Sequence, residues 1–136
     1  MKSFAIGLES PNLIKEVFKK TISDNVKQSL KSALEQIMLP IQGEAEKISH
    51  SEKWKYDGID VSPAPGLDAS IGEAIEPYTG KPFGSASTLN ASALITDVLK
   101  GLNIKKCGYS GLMLPIIEDK VLAKRAEEGM YGLQEL

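Results

Sequence analysis

Short strand-like runs that alternate with longer helical stretches are the feature that most restricts the fold of this chain. Strand character appears at residues 3–9, 56–61 and 104–109. Helical stretches lie between these runs, so the predicted order is β-α-α-β-α-α-β-α. Strands that are separated by helices pair in parallel, with the helices covering the sheet. We therefore expect an α/β fold built from parallel β-α units.

The clearest predicted helix follows a capping-box pattern at residues 21–24, with Asp in place of the usual Glu. Apolar residues then recur at helical spacing, namely Val26, Leu30, Ala33, Leu34 and Ile37. We expect Pro40 to end or kink this helix, and a polar helix to follow at 43–49. Further helices are predicted at 13–18, 67–78, 87–99 and 121–128, with a short one at 133–136.

Composition and charge fit one soluble globular domain of 136 residues. The net charge of -2 provides no basic field for a nucleic acid backbone. No apolar run approaches the roughly 20 residues of a membrane-spanning helix. The single cysteine, Cys107, excludes an internal disulfide. Because the N-terminus also shows no targeting peptide, we expect a reducing, cytoplasmic location.

Polar side chains follow each predicted strand at the point where it ends. The first strand is followed by Glu9, and the third by Ser110. Asp60 and Ser62 end the second strand and lie two residues apart, so they point to the same face. Parallel strand ends open on one edge of a sheet, so we expect these four residues to form a catalytic site. Turn roles are the alternative, because Asp and Ser often hydrogen-bond the local backbone.

A glycine- and hydroxyl-rich segment leads directly into the predicted helix at 87–99. Gly84 permits close approach of the backbone, and free amides at a helix start attract anions. Ser85, Ser87 and Thr88 add hydroxyl donors. These four residues are therefore candidate ligands of a phosphate or carboxylate. The P-loop spacing is absent, and a plain helix cap is the alternative.

Metal ligands are present but follow no diagnostic spacing. Carboxylate oxygens for magnesium or calcium are available at Glu9, Asp60, Glu118 and Asp119. One cysteine and one histidine, His50, do not build a typical zinc site. The cofactor is therefore left open, with a divalent cation as the candidate.

Three motifs occur in an order that resembles a known family. They are Gly58-Ile-Asp-Val-Ser-Pro-Ala-Pro65, Phe83-Gly-Ser-Ala-Ser-Thr88 and Gly108-Tyr-Ser-Gly-Leu-Met-Leu-Pro-Ile-Ile-Glu-Asp119. Together they resemble the uncharacterised family called domain of unknown function 711, often described as PFL-like. The stretch at residues 4–13 also resembles an internal strand and turn of that family.

The resemblance implies that residues 1–136 are one α/β domain and a central piece of a longer barrel. That barrel is similar to the α/β barrel of the pyruvate formate-lyase-like enzymes. The family has no established activity, so it supplies no catalytic residues. Glycyl-radical chemistry is not implied, because it needs a C-terminal glycine loop and active-site cysteines, whereas Cys107 is the only cysteine.

Two functions fit these observations. The first is a metabolic enzyme domain that binds a small anionic substrate at the strand ends. Asp60 and Glu9 would then be acid/base or metal-binding groups, and residues 84–88 the anion cradle. The second is a non-catalytic, truncated or split module that self-associates or pairs with a missing half. Exposed sheet edges favour association, so we expect a homo-oligomer, most simply a twofold dimer.

Overall fold

The computed structural model describes residues 1–21, 24–66 and 68–131 of the chain. Within those residues the strands are β1 (Ser3–Gly7) and β2 (Lys55–Asp60), and the helices are α1 (Pro11–Lys20), α2 (Val26–Glu52), α3 (Ile71–Thr79), α4 (Ala86–Gly101) and α5 (Lys120–Glu127). Part of the predicted capping box at 21–24, and all of the short helix predicted at 133–136, lie outside the described residues.

β1 and β2 form a parallel two-stranded sheet, which confirms the α/β class and the predicted direction of pairing. Parallel strands need a crossover connection, and α1 and α2 provide it. Gly7 lies opposite Asp60 in the register, so the two strands end side by side. This edge of the sheet is where the sequence places the candidate catalytic residues.

The third predicted strand is reduced to a single parallel bridge between Ile59 and Lys106. The amide of Ile59 donates to the carbonyl of Lys105 (2.9 Å), and the amide of Cys107 donates to the carbonyl of Ile59 (3.0 Å). Pairing stops there because Gly108 has a φ of 62°, which turns the chain out of the extended conformation. The prediction of a full third strand was therefore wrong, although the segment does lie beside β2.

α2 is one continuous helix that passes through Pro40 and includes the polar helix predicted at 43–49. A proline inside a helix removes one hydrogen bond and crowds the carbonyl one turn earlier. Pro40 is exposed, so water can solvate that carbonyl and the helix need not end. Ile37, predicted on the apolar face, is 47% exposed. The buried residues of α2 are Val26, Leu30, Leu34, Met38 and Ala45.

The apolar core joins the sheet to the surrounding helices in one cluster. Ile59 of β2, Leu34 of α2 and Ile95 of α4 are all 0% exposed within it. Burial of such side chains supplies the main driving force for folding. None of the helices in the described residues is both long and apolar enough to cross a membrane.

Asp119 is a buried carboxylate that caps two helices at once, with only 1% of its surface exposed. At the start of α3 it accepts hydrogen bonds from Ser70 Oγ and from the amide of Ile71, both at 2.6 Å. At the start of α5 it accepts from the amides of Val121 (3.0 Å) and Leu122 (3.2 Å). Helix N-termini favour such negative charge. Asp119, one of the four candidate metal ligands, thus acts in this structure as a structural cap.

Replacement of Asp119 by alanine should lower the free energy of unfolding by about 2–4 kcal/mol, because buried donors at two helix ends lose their acceptor. Chemical denaturation followed by circular dichroism measures this loss. Asp119→Asn keeps one acceptor oxygen and should lose less. Asp97→Ala removes an exposed carboxylate paired with Lys27 and, as the control, should change little. An Asp119→Ala variant as stable as the parent chain would contradict the double cap.

Candidate functional site

Asp60, the last residue of β2, collects hydrogen bonds from two segments of the chain. Its Oδ1 accepts from the amide (3.0 Å) and the hydroxyl (2.6 Å) of Ser62. The amide of Ser110 donates to the same oxygen (3.0 Å), and the amide of Tyr109 donates to Oδ2 (3.1 Å). The structure therefore brings together three of the predicted catalytic residues, Asp60, Ser62 and Ser110, which we call the Asp60 cluster.

Two residues with positive φ bend the chain over this carboxylate. Gly108 has a φ of 62°, and a Cβ at this position would collide with the Asp60 carboxylate. Ser110 has a φ of 47°, which is uncommon for a residue other than glycine. Its hydroxyl donates to the carbonyl of Cys107 (2.7 Å) and accepts from the amide of Val61 (3.3 Å). These local bonds help to hold the strained conformation in place.

The environment of Asp60 keeps its carboxyl group ionised. Burial alone would raise the pKa of Asp60, but hydrogen bonds from Ser62, Ser110 and Tyr109 outweigh burial and hold the pKa below its usual range. A carboxylate with a low pKa is a weak general base near neutral pH. The arrangement therefore suits a fixed negative charge that positions its neighbours better than a group that transfers protons.

The hydroxyl of Ser62 donates one hydrogen bond and accepts another. It donates to Asp60 Oδ1 and accepts from the amide of Gly111 (3.2 Å). Ser62 is also only 5% exposed. A nucleophilic serine needs an accessible oxygen and an adjacent base that takes its proton. Ser62 in this state is therefore a link between β2 and the segment that contains Gly111.

Glu9, the fourth predicted catalytic residue, stands apart from this cluster. Within the described part of the chain, no hydrogen bond joins it to the Asp60 cluster. Its carboxylate lies against Gly66 and faces a small cavity of about 270 Å³ that Asn12 and Asp68 also line. Glu9 is exposed, so it is the predicted catalytic carboxylate with greater access to solvent.

The predicted anion-binding residues lie at the N-terminus of α4. Ser85 is the residue that precedes the helix, but its side chain caps none of the helix amides. Its hydroxyl lies 2.9 Å from that of Ser87, while the amide of Gly84 donates to Thr88 Oγ1 (3.1 Å). The first turn contains no acidic residue. The positive end of the helix dipole is therefore not neutralised by a carboxylate of that turn.

A cavity of about 480 Å³ opens beside this helix start. Thr88, Ser92 and Thr96 of α4 line one side, and Leu112 and Leu114 line another. The volume is within the range of small-molecule sites, which are mostly apolar with a few polar groups. We call it the α4 cavity.

One segment connects the Asp60 cluster to the α4 cavity. The amide of Gly111 is bonded to Ser62 Oγ, and the next residues along the chain include Leu112 and Leu114, which line the cavity. The end of β2 therefore holds the segment whose side chains form a cavity wall. The two predicted sites, catalytic and anion-binding, are neighbours in the fold.

Sequence reasoning missed the hydroxyl residues of the α4 cavity that lie beyond the first turn of the helix. Ser92 Oγ is buried and has no hydrogen-bond partner among the described residues. Ser92 and Thr96 follow Thr88 by four and eight residues, and this helical spacing alone places all three on one face. The spacing was thus an available signal. The hydrogen bonds donated by the backbone amides of Tyr109 and Gly111 could not be predicted in this way, because every residue other than proline has such an amide.

The structure shows no candidate metal centre in the parts that it describes. No group of three or more His, Cys, Asp and Glu side chains is placed there to hold an ion. Burial and the negative charges of Asp60 and Asp57 raise the pKa of Cys107. The thiol of Cys107 is therefore protonated near neutral pH, and a protonated thiol is a weak nucleophile.

Gly108 tests how far the fold depends on the Asp60 cluster. Gly108→Ala should lower the free energy of unfolding by about 2–4 kcal/mol, because the new Cβ adds backbone strain and displaces hydrogen bonds to a charged group. Gly80→Ala is the matched control, since Gly80 has nearly the same φ (64°) and open space around its Cβ position. Gly80→Ala should lower the free energy of unfolding only by the cost of backbone strain, about 1 kcal/mol. Equal losses in the two variants, measured by urea denaturation, would count against the cluster.

Comparison with known proteins identifies the family. Residues 1–136 match the family described as Uncharacterised ACR (DUF711). A UPF0210 protein of Listeria monocytogenes is 22% identical, over 96% of this chain and 31% of the relative. A UPF0210 protein of Streptococcus mutans is 25% identical, over 96% of this chain and 32% of the relative. The chain thus spans about a third of the length of these relatives. No solved structure matches. The chain belongs to the DUF711 family, as its motifs predicted.

Proposed function

We propose that this chain is a metabolic enzyme domain, or part of one, that binds a small anionic molecule in the α4 cavity. The observation that carries the proposal is the cavity of about 480 Å³ between the N-terminus of α4 and the segment held by Asp60. On this proposal the β1–β2 pair and its helices are units of the larger α/β barrel that the family resemblance implies.

The anion would lie at the start of α4. The helix dipole places partial positive charge there, and backbone amides are natural anion ligands. The side chain of Ser85 caps none of the helix amides, although the amide of Thr88 donates to the carbonyl of Ser85 (2.9 Å), and the first turn brings no carboxylate of its own. Ser85, Ser87 and Thr88 add hydroxyl groups close to this point. A phosphate or carboxylate group matches these donors.

The Asp60 cluster would act as the positioning element of the site. Its bonds fix the segment that carries Leu112 and Leu114 into the cavity. Glu9, the other candidate acid/base group, is exposed but lines a separate cavity with Asn12 and Asp68, so it has no proposed role in the α4 cavity.

A charge placed at Ser87 tests anion binding without damage to the fold. Ser87→Asp adds a carboxylate to the first turn of α4, which favours the helix but repels an anionic ligand. Titration calorimetry with inorganic phosphate and butyl phosphate should show binding to the parent chain and at least about tenfold weaker binding to Ser87→Asp. The neutral variant Ser87→Asn is the matched control and should retain binding. Equal affinities of Ser87→Asp and Ser87→Asn would overturn the proposal.

A second candidate function, a self-associating module, has its own support at β1. Within the described residues β1 pairs only with β2, so its other edge is open. The strand contains no charged residue, and charge is a common protection of an open edge. Beside it lies a mainly apolar cavity of about 340 Å³, lined by Phe4, Ile6, Pro40, Ile41, Glu44, Ala45 and Ile48. A second copy of the chain, related by a twofold axis, would cover both features.

Light scattering at micromolar concentration tests this association. We expect a dimer, and we expect Ile48→Glu to shift it towards the monomer, because a charge then has to be buried at the contact. Leu39→Glu is the matched control. Leu39 lies on the same helix and has a similar exposure (47% against 49% for Ile48), but it does not line the apolar cavity beside β1. A stable, folded monomer of the parent chain would exclude the dimer.

A further inference from the structure

We infer that the α4 cavity contains a second polar subsite, at Ser92 and Thr96, that binds a hydroxyl group of the ligand. The ligand class is then a phosphate monoester with a hydroxyl group about one helical turn away from its anionic end. This inference rests on the proposed function, because the second subsite lies in the same cavity, further along α4 than the anion position. Its own support comes from the side chains beyond the first turn of α4.

The unpaired hydroxyl of Ser92 is the main observation. Ser92 is one of the residues that line the cavity, and its Oγ is buried and bonded to no described residue. A serine inside a helix often bonds the carbonyl four residues earlier, and no such bond satisfies Ser92. A buried hydroxyl without a partner is unfavourable. Rotation of the Ser92 side chain towards the cavity would let its hydroxyl bond a ligand hydroxyl and remove this penalty, whereas an apolar ligand atom would not.

The spacing along α4 sets the distance between the two subsites. Thr88 and Ser92 are four residues apart, which corresponds to about 6 Å along the helix axis. Thr88 Oγ1 already accepts from the amide of Gly84 (3.1 Å), so it belongs to the anion end. Thr96 continues the same face and also lines the cavity. The polar groups of a ligand would therefore lie along one side of α4.

The apolar residues of the lining set the character of the rest of the ligand. Leu112 and Leu114 line the same cavity and offer no hydrogen bonds from their side chains. A short carbon skeleton between the anion and the hydroxyl would pack against them and be removed from water. A chain of about four carbons has the length to connect the two subsites.

The test compares butyl phosphate with 4-hydroxybutyl phosphate, which differ only in the terminal hydroxyl. Titration calorimetry on the parent chain should show about 2- to 10-fold tighter binding of the hydroxylated compound, the range for one added hydrogen bond. Ser92→Ala should abolish this difference and leave the affinity for butyl phosphate unchanged. The alanine variant should also fold, because alanine favours a helix and buries no polar group. Ser32→Ala, at an exposed serine of α2, is the matched control and should retain the difference.

The possible outcomes distinguish failure of the subsite alone from failure of the anion site. Equal binding of the two compounds to the parent chain would overturn the subsite and leave the anion site standing. Weaker binding of both compounds to Ser92→Ala, with their difference retained, would make Ser92 a structural residue and would also overturn the subsite. Failure of both compounds and of inorganic phosphate to bind would overturn the subsite and the proposed function together.

Discussion

The hydrogen bonds to Asp60 are the interaction on which the candidate site depends. Backbone pairing between β2 and the segment after α4 consists of one bridge. Beyond that bridge, the amides of Tyr109 and Ser110 turn towards the Asp60 carboxylate. A single side chain thus replaces the ladder that a longer third strand would have provided. The same hydrogen bonds make Asp60 a weaker base, because a carboxylate with several donors is a poor acceptor of a further proton.

The sequence contained enough information for the outline of the fold and for part of the site. Helices between the strand-like runs required crossover connections, and hence parallel pairing of β1 with β2. The rule that parallel strand ends share an edge predicted the proximity of Asp60, Ser62 and Ser110. Likewise, hydroxyl residues after Gly84 predicted the start of α4. The start of α4 is a local pattern, whereas the approach of Ser110 to Asp60, 50 positions away, followed from a general rule about parallel sheets.

The errors arose where a distant partner decides the structure. Asp119 was a candidate metal ligand, and only its contacts with Ser70 and Ile71, almost 50 positions earlier, make it a helix cap. Pro40 was expected to end or kink its helix; the helix does not end there, because the exposure of Pro40, which the whole fold determines, makes a proline tolerable inside α2. Glu9 lies at the expected edge without joining the cluster, because its carboxylate packs against Gly66. No local pattern contains this information.

The carboxylate shared by α3 and α5 has a consequence for the order in which the chain folds. α3 has only nine residues, and isolated helices of that length are marginal in water. The acceptor at its N-terminus comes from a residue that is synthesised almost 50 positions later. On a ribosome, α3 therefore emerges long before Asp119 is available to it. α3 can pack against α1 earlier, but its N-terminal cap is complete only once α5 is in place, so the two helix starts should gain their final stability in the same step.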